Sequence, residues 1–246
     1  MIFDIHVHVG QFEKRYFSPE FVCGILQKAG ITHFAFSSFS HIASKDRAFL
    51  LAEREKVLEL SQNRAVVFQW VMPEMLGKRG GLESWLDKNV RGLKVHGKAQ
   101  TWLPFGKPLQ KVFAIAAERS LPVMLHTGED KGFRPDDYLR ICQKFPQVKV
   151  ILAHGRPLDS AIFMLKECPN TFVDTAFMPN GDIEILLELG FGKRVLFGTD
   201  VPAQTLFYKS SVTQYVKRRI EAAKKMGLNL KLPTVINSKK GSPRCE

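Results

Sequence analysis

Residues 4–8 of this 246-residue chain read Asp-Ile-His-Val-His. Side chains two apart on an extended strand share a face, about 6.6 Å apart. Two imidazoles so placed can direct ring nitrogens to one metal ion at about 2.0–2.1 Å. By the same alternation Asp4 falls in the inward row with His6 and His8, where it could orient a ligand from below. Ile2, Phe3, Ile5, Val7 and Val9 then form the outer, helix-facing row. Three more histidines, His96, His126 and His154, each close a short apolar, β-branched run, and Asp200 directly follows another. A third histidine and an aspartate from other strand ends would complete a His₃Asp donor set. Imidazole and carboxylate without thiolate suit Zn²⁺, Mn²⁺ or Fe²⁺. With one coordination position left open, such a site makes water a nucleophile near neutral pH.

The runs that position these residues are Ile2–His8, Ile31–Ser37, Ala65–Met72, Arg91–His96, Pro122–His126, Lys149–His154, Thr171–Thr175 and Arg194–Thr199. Helical patterns alternate with them. Ser18-Pro19-Glu20 opens a helix that Gly30 stops. Further helices are expected from Ser44 to about Gln62, over Lys107–Ser120, Pro135–Phe145 and Asp159–Cys168, from Asp182 to Gly190, and over Ser211–Met226. The weakest helical pattern is Gly80–Lys88. Eight strand-then-helix units predict a single α/β domain over residues 1–236, a (β/α)8 TIM barrel. Residues 237–246 read as a basic, disordered tail. An open doubly wound sheet is disfavoured, because no G-x-G-x-x-G follows the first strand and no P-loop motif occurs. In a barrel the C-terminal strand ends converge on one mouth, where catalytic groups sit. Lys94 and His96 point into that barrel, since Leu93 and Val95 face the helices.

Composition narrows the function classes. No run of about 18 apolar residues exists, so a membrane-spanning helix is excluded. Met1–Gly10 has polar residues where a signal sequence would be apolar. The four cysteines (Cys23, Cys142, Cys168, Cys245) are scattered, without a C-x-x-C pair, which predicts a reduced cytoplasmic protein. The net charge is +12, of which +8 falls between Lys209 and Lys240, nine cations against Glu221 alone. That block reads as the solvated face of a helix, with Lys217, Arg218, Lys224 and Lys225 opposite Val212, Val216, Ile220 and Ala223. Nucleic acid is the alternative partner for it. A homo-oligomer is compatible with this composition.

DIHVHVG at 4–10, GLKVHG at 92–97, LPVMLHTGE at 121–129, FPQVKVILAHGR at 145–156 and VLFGTDVP at 195–202 together resemble the amidohydrolase superfamily. The resemblance is closest to the amidohydrolase-2 branch of metal-dependent hydrolases and decarboxylases. It implies His6, His8, His126 and Asp200 as metal ligands, with Asp200 also touching the bound water. It implies His154 as a catalytic group beside the metal. One divalent metal is expected, Zn first, with Mn or Fe as alternatives. Lys94 is expected as a plain ammonium, not a carboxylated bridge between two metals. It would balance an inner carboxylate such as Asp4 or hold a substrate carboxylate. His96 should line the pocket. Lys98, Trp102 and Phe105 after the fourth strand, Phe207, Tyr208 and Lys209 after the eighth, and Arg156 suit a planar, carboxylated organic substrate. Trp102, Arg156, Lys94 and His96 are therefore the substrate-binding candidates.

The expected activity is hydrolysis of a C–O or C–N bond in a small molecule. A decarboxylase of carboxylated aromatics would use the same ligands. A TatD-like nuclease is disfavoured by Lys94 and His96, where that class carries a glutamate, and by Gly198-Thr199-Asp200. The branch often ends in a helix with an Asn-Ala signature that closes the barrel bottom, and LPTVINSKKGSPRCE lacks it.

Overall fold

The computed structural model describes residues 1–77, 81–100, 102–207 and 211–236. The strands are β1 (Phe3–Phe12), β2 (Arg15–Phe17), β3 (His33–Ser38), β4 (Ala65–Trp70), β5 (Val90–Val95), β6 (Val123–His126), β7 (Val150–Ala153), β8 (Thr171–Asp174) and β9 (Val195–Leu196). They form one sheet in the order β2-β1-β3-β4-β5-β6-β7-β8-β9, parallel except for the β1–β2 hairpin. The hairpin is an addition to the expected order, since β1 runs past His8 to Phe12 and turns back. Beyond β9 the chain meets β1 again. Ile5 N donates to Phe197 O at 2.9 Å, Asp200 N to His6 O at 2.7 Å and His8 N to Val201 O at 2.7 Å. The sheet thus curls until its last strand returns to its first, an α/β fold of the TIM-barrel type.

Helices pack on the outside. Ser18 Oγ accepts from Phe21 N and Gly30 ends the helix Pro19–Ala29 at φ 88°, a left-handed end suited to glycine. The expected helix from Ser44 starts later, at Arg47, because the Asp46 carboxylate caps Ala48 N and Phe49 N. Asp182 lies in the first turn of the helix Asn180–Glu188 and does not cap it. The β4–β5 connection departs most from expectation. Its described part makes two 3-10 turns, Pro73–Leu76 and Leu82–Trp85, instead of an α-helix. Among the described residues no helix is long and apolar enough to cross a membrane.

Strand alternation divides the core in two. Val7, Val9, Phe34, Phe36, Val67, Leu93, Val95, Leu125 and Leu152 pack outward against the helices. Phe3, Ile5, Ala35, Phe68, Met124, Ile151 and Leu196 fill the barrel interior, with Val235 and Ile236 from the C-terminal segment. That segment closes the bottom: Phe3 N donates to Leu230 O at 2.7 Å. Burying each such side chain contributes roughly 1.5–3 kcal/mol. The inner placement of Phe3 and Ile5 corrects the expected alternation. The register of β1 against β3 shifts between Asp4 and Val7. The apolar row therefore changes sides partway along β1, and His6 and His8 share the inner row only above that shift.

Candidate metal centre

The strand ends bring together residues far apart in sequence. His6 and His8 lie on β1, Lys94 near the end of β5, His126 at the end of β6, His154 just past β7 and Asp174 at the end of β8. Asp200 follows β9 in the segment that bonds to β1. A cavity of about 140 Å³ opens over all of these except the fully buried Asp174, with Arg156 and His96 also in its wall and Phe39 and Phe177 as apolar sides. Close approach at the seam depends on Gly198. A Cβ there would sit 3.1 Å from His6 Cβ and 3.2 Å from Asp174 Cβ.

His6 Nε2 is 3.0 Å from His8 Nε2. Asp200 Oδ1 is 3.3 Å from His6 Nε2 and 3.0 Å from His8 Nε2. Two donors bound at 2.0–2.1 Å to one tetrahedral ion stand about 3.3 Å apart, so this triangle has the size of a metal's coordination edge. Asp200 Oδ1 is buried and accepts no aligned hydrogen bond despite both nitrogens beside it. A buried carboxylate oxygen in that condition calls for a cation. The outward nitrogens are tied to the protein. His6 Nδ1 lies 2.9 Å from Asp174 Oδ2, and His8 Nδ1 lies 2.9 Å from Ser37 Oγ and 3.2 Å from Ser37 O. Outer partners of this kind fix ring orientation and leave the inner lone pairs facing the centre.

His154 stands beside this group. One ligating atom each of His6, His154 and Asp200 lies within 4.8 Å of the others. His154 Nε2 is 3.2 Å from His126 Nδ1, and His154 Nδ1 is 3.3 Å from Ala176 O. His126 in turn stacks on His96, ring centroids 3.8 Å apart and planes at 11°. Lys94 Nζ lies 3.1 Å from His6 Nε2. Arg156 stands exposed at the rim.

Trp102 does not line this cavity. It is 5% exposed and packs in the outer core, because the loop after β5 folds its indole down against the helices. Asp4 is also displaced from its expected role. It accepts from His6 N, Thr199 N and the Thr199 hydroxyl, joining β1 to the segment after β9. The carboxylates that face Lys94 are Asp200 and Asp174. Asp174 escaped the sequence reading, although a carboxylate closing a strand at the same height as Asp200 was a usable signal. Ser37 carried no such signal. Tyr208 and Lys209 lie outside the described residues, as do residues 237–246 with Cys245, and so does the side chain of Lys98.

Burial governs the electrostatics. It pushes His8 and His154 down to about 4 and His96 to about 3, and it lowers His126 well below the ordinary imidazole range. These rings are neutral at pH 7, the form that ligates metal. Burial also lowers Lys94 to about 8, against the pull of Asp200 and Asp174. For Asp200 burial works upward, but its histidine neighbours, His6 first, then His8 and His154, outweigh it and hold the carboxyl below its usual range. Asp4 rises to about 7, because burial exceeds the help of the Thr199 hydrogen bonds. His154 and Asp200 both adopt left-handed backbone, φ 71° and 57°. Such strain costs of order 1–3 kcal/mol and concentrates at functional sites.

The sequence profile of the amidohydrolase family, the amidohydrolase-2 branch, matches residues 4–225. No curated protein is similar enough to stand as a relative. Solved structures share the fold. A Pseudomonas putida protein bearing the name 2-pyrone-4,6-dicarboxylic acid hydrolase is 16% identical, with 96% of this chain and 93% of that one covered and a TM-score of 0.65. An Acinetobacter baumannii protein of the same name, with citric acid bound, is 13% identical over 93% and 92%, TM-score 0.63. A zinc-bound Burkholderia multivorans amidohydrolase is 14% identical over 92% of both chains, TM-score 0.63.

Proposed function

The chain belongs to the amidohydrolase family and is an enzyme of the metal-dependent hydrolase type, and on that premise we propose that it hydrolyses a C–O or C–N bond of a small carboxylated molecule. The observation that carries this reading is the donor triangle of His6, His8 and Asp200, with its buried oxygen lacking an aligned hydrogen bond. His126 completes the proposed ligand set, and one divalent metal, Zn before Mn or Fe, is its occupant. When bound, a divalent metal supplies Lewis acidity and makes water nucleophilic near neutral pH.

The chain's own groups do the rest. Asp200, held ionised, accepts the proton of the attacking water at its carboxylate. His154, neutral and buried beside Asp200, takes that proton at Nε2 and passes it to the leaving group. Lys94 and the Arg156 guanidinium bind the substrate's carboxylate, Arg156 by its planar fork. Phe39 and Phe177 flank the organic part and exclude water, which strengthens every charge interaction inside. The Acinetobacter baumannii protein of this fold has citric acid, a carboxylated molecule, bound. We read the barrel as (β/α)8, with 3-10 turns in the described part of the β4–β5 crossing.

The test starts from protein purified without chelator. About one equivalent of zinc, manganese or iron is expected, with activity lost on chelation and restored by that metal. Lactones and amides bearing carboxylates are assayed beside carboxylated aromatics, the latter scored by CO₂ release. Turnover of the aromatics alone assigns decarboxylation, and metal-free protein with full activity overturns the reading.

A further inference from the structure

We propose that Asp174 is a positioning residue that sets the tautomer of His6 and, with its other oxygen, fixes the backbone of His154. The proposal rests on reading His6 as a metal ligand.

Asp174 is fully buried at the end of β8. Its Oδ2 lies 2.9 Å from His6 Nδ1. Its Oδ1 accepts from His154 N at 3.1 Å and from Ala176 N at 2.9 Å. One carboxylate therefore holds the ring of one candidate ligand and the main chain of the neighbouring histidine. That main chain is in the left-handed region, which a non-glycine residue keeps only when its surroundings hold it there.

The chemistry at Oδ2 is one-sided. An ionised carboxylate only accepts, so the proton of the His6–Asp174 bond comes from Nδ1. The opposite face of the ring agrees independently. Lys94 Nζ, 3.1 Å from His6 Nε2, is an ammonium and only donates. Both neighbours therefore require Nδ1–H and an unprotonated Nε2, whose lone pair lies on the side of Lys94, His8 and Asp200.

Asp174→Asn separates the two roles while keeping the shape. His154 N and Ala176 N both need an acceptor, so the amide oxygen takes the Oδ1 position. The amide nitrogen then occupies the Oδ2 position and donates to His6 Nδ1. The ring is forced to carry its proton on Nε2, where the metal must bind. The backbone clamp survives and the lone pair is lost.

Three measurements test this on the full chain. Zinc affinity of the metal-free protein, by competition with a chromophoric chelator, is expected to fall about 10–100-fold in Asp174→Asn. Thermal unfolding of the metal-free variant should stay close to wild type. Imidazole ¹⁵N shifts should report Nδ1–H for His6 in metal-free wild type and Nε2–H in the variant. A residue with only a structural role would lower the melting temperature without moving the tautomer. Unchanged zinc affinity or an unchanged tautomer in Asp174→Asn overturns the proposal. Should that variant not fold, the wild-type shifts decide, since Nε2–H on His6 there overturns it as well. Wild-type protein that takes up no zinc, manganese or iron would instead remove the ligand reading and with it the role of Asp174 toward the metal, while the ¹⁵N shifts would still decide the tautomer claim.

Discussion

The two walls of the mouth are built on different principles. On the β1 side each imidazole is held through its outer nitrogen, His6 by Asp174 and His8 by Ser37, and the inner nitrogens meet Asp200 within 3.0–3.3 Å. On the β5–β6 side His96 and His126 lie flat on one another, and His126 reaches the group through His154. Anchored rings have a set direction for their lone pairs, as a metal requires. Stacked rings have a set plane and form a wall. The difference teaches that His6 and His8 are marked as ligand candidates by what holds the far side of each ring, whereas His126 enters the proposed set on the family resemblance.

The largest effects should come from the anchored side. His6→Ala and Asp200→Ala each remove a corner of the triangle. Metal content by elemental analysis should fall from about one equivalent toward zero, with activity falling by more than the 10–100-fold typical of outer partners. His126→Ala probes the other wall. The family resemblance makes it a ligand, so its metal should also be lost, and full occupancy would leave the β5–β6 wall as lining alone.

Next in size is His154→Asn. Steady-state kinetics should show kcat reduced about 10²–10⁴-fold with KM less affected, and metal content near wild type. Metal loss in parallel with activity would move His154 into the ligand set, joining the two walls. Smaller again are Lys94→Met and Arg156→Met. Each would remove a charged contact proposed for the substrate's carboxylate, so KM should rise about 10–100-fold with metal retained. If Lys94→Met released the metal, Lys94 would belong to the centre itself.

A separate effect, on stability and not on turnover, is in the response to acid. In the unfolded chain these histidines take a proton near 6.5, whereas folded His8, His154 and His96 refuse it down to about 4, 4 and 3. Lowered folded values mean the unfolded state binds more protons across that window. Stability of the metal-free protein should therefore fall as pH drops from about 6.5 toward 4, by at most roughly 1.4 kcal/mol per pH unit for each ring. His96→Gln should flatten that slope in denaturant titrations, and an unchanged slope would show that the stacked ring is not kept neutral by the fold.

The sequence by itself determined the eight main strands, the helices after most of them and the strand ends at which the candidate residues gather. Alternating apolar residues and capping signals are local, and a histidine closing a strand can be located without knowing its neighbours. Gly80–Lys88 failed as a helix because its pattern was short and irregular. Only the tertiary structure decided the rest. The shift in β1 between Asp4 and Val7 overrode simple alternation, because register depends on the partner strand. Trp102 left the mouth for the core and Asp4 became a tie to Thr199, since loop packing and sheet closure are not written in spacing. Asp174 acquired its role for the same reason. It stands 168 residues from His6 along the chain, and only the return of the sheet to its first strand places a carboxylate against that ring.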